Sequence, residues 1–102
     1  MGVVNLRVLA QADCVPPTIF TPNGDNYNDE FVVSCFFDPS KFPDNQVIVY
    51  NQWGDQVFRA QPYLNDWAGT FNGEDLPVGT YFYVINLDND TEPLTGFLVL
   101  ER

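Results

Sequence analysis

Glycine and proline punctuate this chain so often that it has no room for a long helix. Seven glycines and eight prolines are spread over 102 residues, and no window between them shows a convincing helical period of apolar positions. The intervening segments are short and rich in β-branched and aromatic residues. They predict strands joined by turns, and the chain contains neither an internal repeat nor a low-complexity segment.

The strands can be placed in order. Val4, Leu6, Val8 and Ala10 alternate with Asn5, Arg7 and Leu9, a period of two that is imperfect at Leu9, before Pro16-Pro17 interrupts it. Thr18 to Phe20 reads as a short strand. Phe31 to Phe37 reads as another, with Phe31, Val33, Cys35 and Phe37 on one face. A loop with two prolines follows from Asp38 to Asn45. Val47 to Asn51 and Gln56 to Ala60 then form a predicted hairpin, with Gly54 where a tight loop needs positive φ. Gln61 to Asp75 is the least regular part, and Asn72-Gly73 within it reads as a turn. Thr80 to Asp88 is a long strand with Tyr81, Tyr83, Ile85 and Leu87 on one face and Phe82 and Val84 on the other. After the polar turn from Asp88 to Pro93, Leu94 to Glu101 returns with Leu94, Gly96, Leu98 and Leu100 aligned. The expected fold is all-β, an immunoglobulin-like antiparallel β-sandwich of about seven strands.

One loop concentrates unusual chemistry. Thr21-Pro22-Asn23-Gly24-Asp25-Asn26-Tyr27-Asn28-Asp29-Glu30 sets turn formers between apolar flanks. Asn23, Asp25, Asn28 and Asp29 bring several oxygen acceptors together. They can cap their own backbone N–H groups in a rigid Asx-type loop, or help to hold Ca²⁺, which takes six to eight oxygens. The spacing is not that of an EF-hand, because no Glu stands at the twelfth position from Asn23 or Asp25.

Composition removes several function classes. The formal net charge is −10, and Arg7, Lys41, Arg59 and Arg102 are the only cations. Nucleic acid and anionic membrane surfaces are poor partners for such a chain. No stretch is long enough for a transmembrane helix, so direct membrane insertion is not expected. With no histidine, Ser-His and Cys-His nucleophilic triads cannot be built. Asp66 and Asp75 are the best carboxylate pair for glycoside hydrolysis, but nothing around them supplies the environment such acids need. The chain is read as a non-enzyme. Cys14 and Cys35 are either a disulfide or two buried thiols; without a CxxC or a histidine, redox and zinc chemistry are not expected. Trp53 at the hairpin tip is either a lid over one end of the core or an exposed recognition ring, and the lid is the favoured reading.

Five segments together resemble a known family. "FTPNGDNYND" resembles the FTPNGDGxND motif of the gliding-motility-associated C-terminal domain, the type B sorting domain of the type IX secretion system. Ile48 to Phe58 looks like its IFNRWGxxVF, and Asp66-Trp67-Ala68-Gly69-Thr70 is similar to its WDGT, with Ala68 in place of the acidic residue. Leu76-Pro77-Val78-Gly79-Thr80-Tyr81-Phe82-Tyr83 resembles LPxGTYYY, and Gly96 to Arg102 looks like the closing GxVxLxR. The resemblance covers residues 14–102. Residues 1–13 are expected to be a strand or linker from a preceding region, with Met1-Gly2 as an added start on a piece of a longer protein.

That resemblance implies a C-terminal signal on a large adhesin-like cargo. The signal would take the cargo across the outer membrane of a Gram-negative gliding bacterium, to the cell surface or the medium. The implied partners are the type IX translocon and a cognate outer-membrane barrel, with the isolated domain monomeric. Export tilts the two cysteines towards the bridge. Trp53, Gly54, Trp67, Leu98, Leu100 and Arg102 form the expected partner-binding set, with the last strand as a free edge for strand addition. The alternative is a carbohydrate-binding module with calcium in the loop around Asp25 and Asp29, in which Trp53, Tyr63, Trp67, Tyr81 and Tyr83 stack on sugar rings.

Overall fold

The computed structural model describes residues 14–38, 40–88 and 92–102. The strand expected over Val4 to Ala10 lies outside the described residues. Among those described are seven strands: β1 (Ile19–Phe20), β2 (Gln46–Tyr50), β3 (Gln56–Ala60), β4 (Thr70–Phe71), β5 (Glu74–Asp75), β6 (Gly79–Asn86) and β7 (Leu94–Leu100). Five of them build one sheet in the order β1-β7-β6-β2-β3, and β4 and β5 form a small hairpin apart. The architecture is all-β and immunoglobulin-like.

The period-two pattern sets the register. Val47 pairs with Ile85 and Val49 with Tyr83, while Tyr81 faces Leu98 and Phe20 faces Leu100. Sliding any of these strands by one residue would turn its apolar side chains to the wrong face. Gly96 belongs to the same inner face, because the Tyr83 ring fills the space a Cβ would take. The β2–β3 hairpin turns through Gly54 at φ 86°. A shift in its register at Tyr50 leaves Val57 as an extra, buried residue.

Two expectations about the sheet are corrected. It is mixed, because β1 runs parallel to β7. The two strands come from opposite ends of the described chain, so no tight turn forces them antiparallel. For the same reason β7 is no free edge: it lies between β1 and β6. The Val99 N–H donates to the Thr18 carbonyl at 2.8 Å, and the Glu101 N–H donates to the Phe20 carbonyl at 3.1 Å.

The second layer is where strand prediction fails. Phe31 to Phe37 is not a strand; it is irregular up to Val33 and then makes one 3-10 turn over Ser34–Phe36. Phe31, Val33 and Cys35 are buried as the alternation read from the sequence expects, but the turn buries Phe36 beside them and leaves Phe37 72% exposed, so the pattern breaks at its end. Side chains replace the ladder here. The Asn65 amide accepts from the Val33 N–H at 2.9 Å and donates to the Val33 carbonyl at 3.3 Å. The Phe31 N–H donates to the Trp67 carbonyl at 2.9 Å. With those polar groups satisfied, the segment needs no neighbouring strand. Cys35 on the 3-10 turn is bonded to Cys14 as a disulfide, with the two Cα atoms 4.5 Å apart.

An aromatic cluster joins this layer to the sheet. Trp67 stacks on Phe58 with ring centroids 4.9 Å apart and packs on Phe20 at 5.4 Å. The buried Tyr63 hydroxyl donates to the Phe31 carbonyl and accepts from the Trp67 N–H. The buried Asn45 side chain accepts from the Tyr63 N–H at 2.8 Å and donates to the Phe42 carbonyl at 2.9 Å. A fully enclosed ring such as Phe31 contributes about 1.5–3 kcal/mol by burial. Trp67 is therefore the anchor expected for the Gln61 to Asp75 segment. The Asn72-Gly73 turn, with φ of 54° and 81°, closes the β4–β5 hairpin.

Candidate functional site

The pairing registers bring the loops to one end of the molecule. Gly79, the first residue of β6, faces Leu100, the last of β7; Phe20, the last of β1, faces the same Leu100. Tyr50, the last residue of β2, faces Phe82 near the start of β6. The 21–30 loop, the hairpin tip at 51–55, the 76–78 segment and the 101–102 tail therefore leave the sheet at the same end.

The 21–30 loop is capped by its own side chains. The Asp29 carboxylate accepts from the N–H groups of Asn23 (3.1 Å), Gly24 (3.1 Å) and Asn26 (2.8 Å). Asn23 Oδ1 accepts from the Asp25 N–H, and Asp25 Oδ1 from the Tyr27 N–H. The loop mouth is closed by the Thr21 N–H donating to the Asn28 carbonyl at 2.7 Å. Asn26 and Asn28 adopt positive φ, which asparagine tolerates better than most residues. Desolvation works to raise the Asp29 pKa, but the surrounding backbone N–H groups of Asn26, Gly24, Asn23 and Asp25 outweigh it and hold it below the ordinary carboxyl value. Asn23 Oδ1, Asp25 Oδ1 and both Asp29 oxygens thus already accept bonds from the loop's own backbone. Among the described residues, no group of three or more His, Cys, Asp or Glu is placed to hold a metal ion.

Arg102 ties this loop to two others. Its Nη1 donates to the Pro22 carbonyl at 2.9 Å, and its Nη2 donates to the carbonyls of Gly69 at 3.0 Å and Leu76 at 3.1 Å. The Leu76 N–H also donates to the Gly69 carbonyl. Gly69, at φ 74°, is pressed so close to Leu100 that a Cβ would meet its Cδ1 at 2.7 Å.

At the hairpin tip, Asn51 Oδ1 accepts from the N–H groups of Trp53 and Asp55, each at 2.9 Å. The tip stands over a cleft of ≈ 160 Å³ whose walls include Trp53, Pro77, Val78 and Tyr81. Trp53 is 78% exposed and Val78 59%. Trp53 is therefore not a lid on the core; the bonds from Asn51 close the tip by themselves and leave the ring outside.

The chain matches the CHU_C type IX secretion signal domain over residues 14–100. It belongs to that family. No curated protein and no solved structure gives a match. Membership carries export by the type IX route, to the cell surface or the medium, and the family is one of secretion signals, not enzymes. No helix among the described residues is long and apolar enough to cross a membrane.

In this type IX secretion signal domain the expected partner-binding residues divide into two groups. Trp53, Gly54 and Arg102 lie at the loop-bearing end together with Asn23, Asp25, Asn28 and Asp29. Trp67, Leu98 and Leu100 are core residues with 3%, 0% and 0% exposure. A partner meeting the folded domain does not touch them, because their side chains point to the inner face. The sugar-stacking platform is corrected on the same ground. Tyr63, Trp67 and Tyr81 are buried and Tyr83 is half-buried against Phe31, which leaves Trp53 as the one fully exposed ring of that set. Cys14 and Cys35 bond to each other in the second layer.

Sequence reasoning missed Asn51, Asn65 and Val78. Asn51 carried a readable signal, an acceptor three residues before a turn glycine. The cleft wall at Val78 had none, because it exists only once two distant loops meet.

Proposed function

We propose that this domain directs an adhesin-like cargo through the type IX translocon by presenting its loop-bearing end to the secretion machinery, with a cognate outer-membrane barrel as the receiving partner. One observation carries the reading. Loops from all five motif segments, far apart in sequence, are held at one end, and an exposed tryptophan stands there beside an open cleft. An exposed Trp at a rigid turn is a suitable anchor, since it offers a large contact area with few rotamers to freeze. The reading assigns the domain no catalysis of its own.

The test is export. An inert reporter carrying residues 1–102 at its C-terminus is expressed in a host with the secretion system and a cognate barrel. Surface or medium reporter is expected for the parent sequence. Trp53→Ala should lower it about tenfold, the scale of a hot-spot residue worth over 1 kcal/mol, with the melting temperature unchanged. Reporter that stays periplasmic with the parent sequence rejects the sorting reading. Unchanged export of Trp53→Ala removes the hairpin tip from it.

A further inference from the structure

We propose that Arg102 is a positioning residue: its guanidinium fastens the 21–30 loop to both ends of the β4–β5 hairpin, making one face of them, and export depends on that fastening instead of on a direct contact between Arg102 and a partner. The inference deepens the proposed function and rests on it. The three carbonyls that the guanidinium holds belong to Pro22, Gly69 and Leu76, at sequence distances of 80, 33 and 26 residues. No strand pairing among the described residues joins the Pro22 loop, which follows β1, to the base of the β4–β5 hairpin, where Gly69 and Leu76 already meet through the Leu76 N–H.

The side chain is only 23% exposed. Its base is fixed by the preceding residue, whose N–H donates to the Phe20 carbonyl. A planar fork with five donors can address carbonyls in several fixed directions at once. A lysine ammonium has three donors radiating from one point and cannot span the same set. Charge is the lesser part. The Asp75 carboxylate lies 3.7 Å from Nη1 and is 70% exposed, an arrangement in which ion pairs add little. The latch is a matter of donor geometry, so a cation of the wrong shape should not restore it.

The experiment uses the full chain, alone and as the reporter fusion, with Arg102→Lys, Arg102→Gln and Asp75→Asn. Amide hydrogen exchange is read residue by residue together with export. The latch predicts that exchange in 21–30 and 68–77 rises about tenfold or more in both Arg102 variants, while β2, β3 and β6 keep their protection. Asp75→Asn should leave both regions as they were. Export should fall in step with loop protection, and equally for Lys and Gln. Unaltered loop exchange in Arg102→Gln overturns the latch, as does full rescue by Lys, which would mean that charge alone suffices. Loosened loops with undiminished export overturn the dependence of export on the fastening, and leave Arg102 as a purely structural tie. If Arg102→Gln fails to fold, the charge-retaining Arg102→Lys still gives the exchange readout.

Discussion

Two tryptophans in this chain, fourteen residues apart, do opposite things. Trp67 is 3% exposed and stacked on Phe58; Trp53 is 78% exposed at a hairpin tip. Both follow polar residues and stand close to a glycine, so local composition does not separate them. What separates them is how each backbone is satisfied. The tip at 51–55 closes on itself, through the Asn51 side chain and the Gly54 turn, and asks nothing of the core. The Trp67 segment closes only with help from the second layer, through Phe31, whose N–H donates to the Trp67 carbonyl and whose carbonyl accepts from the Tyr63 hydroxyl. The Trp67 N–H donates to that same hydroxyl, and the indole N–H donates to the Thr70 carbonyl. A self-sufficient turn frees its side chain for outside contact, whereas a dependent segment spends its ring on holding the second layer.

The largest expected effect comes from truncating the two rings in parallel. Trp67→Ala should lower stability by about 3–5 kcal/mol, the range for removing a buried large aromatic. Trp53→Ala should lie within about 0.5 kcal/mol of the parent. Denaturant titration of both variants checks this, and comparable losses would dissolve the distinction between a dependent and an autonomous loop.

The second layer also relies on the Cys14–Cys35 bridge, which closes a loop of 21 residues. Replacing both cysteines with serine should cost about 3 kcal/mol on the chain-entropy account, measured by urea titration as a lower midpoint, with a steeper slope because the unbridged chain unfolds to a more open ensemble. An effect near zero would mean that the aromatic cluster alone orders this layer.

A smaller effect isolates one hydroxyl. Tyr63→Phe removes the partner of the Phe31 carbonyl and the Trp67 N–H. It should cost about 1–3 kcal/mol, the penalty of leaving buried polar groups unpaired. It should also change the alkaline limb of stability. Desolvation by burial, aided by the Asp66 and Glu30 charges and only partly opposed by the Trp67 N–H, raises the Tyr63 hydroxyl far above its ordinary pKa. A raised folded pKa means that the unfolded chain loses its proton first. The contribution is complete below the unfolded value of about 10 and is lost as pH climbs above it. Melting curves between pH 8 and pH 11 should therefore slope less steeply in Tyr63→Phe, with Tyr81 and Tyr83, also raised by burial, supplying the remainder.

The sheet was legible where alternation and turn chemistry agree. Val47, Val49, Ile85, Leu98 and Leu100 are core residues on a period of two, and Gly54 and Asn72-Gly73 mark turns. Phe31 to Phe37 was misleading because its composition favours a strand, while its partners are side chains from Asn65 and a carbonyl from Trp67, more than thirty positions away. The parallel seat of β1 was hidden for a similar reason, since local pattern carries no information on direction. In the candidate site, the Asp29 loop was readable from its own turn residues. The fastening by Arg102 was not, because its acceptors are backbone carbonyls that no residue type advertises.

The smallest effect compares the two self-capped loops at the functional end. One is held by a carboxylate, Asp29, and the other by an amide, Asn51, so only the first can be undone by a proton. The folded pKa of Asp29 is depressed, so its contribution is complete above the unfolded value of about 3.9 and fades as pH falls through the lower folded value. Amide exchange followed from pH 6 to pH 3, corrected for its intrinsic pH dependence, should show Asn23, Gly24 and Asn26 losing protection below about pH 4. Trp53 and Asp55, bonded to Asn51, should hold theirs. Asp29→Asn should loosen the first loop at every pH and abolish its acid response, because one amide oxygen cannot serve the three N–H groups that two carboxylate oxygens now share. If both loops soften together, the cause is global acid unfolding. The two caps would then be equivalent, and the Asp29 carboxylate would have no separate part in keeping that end in shape.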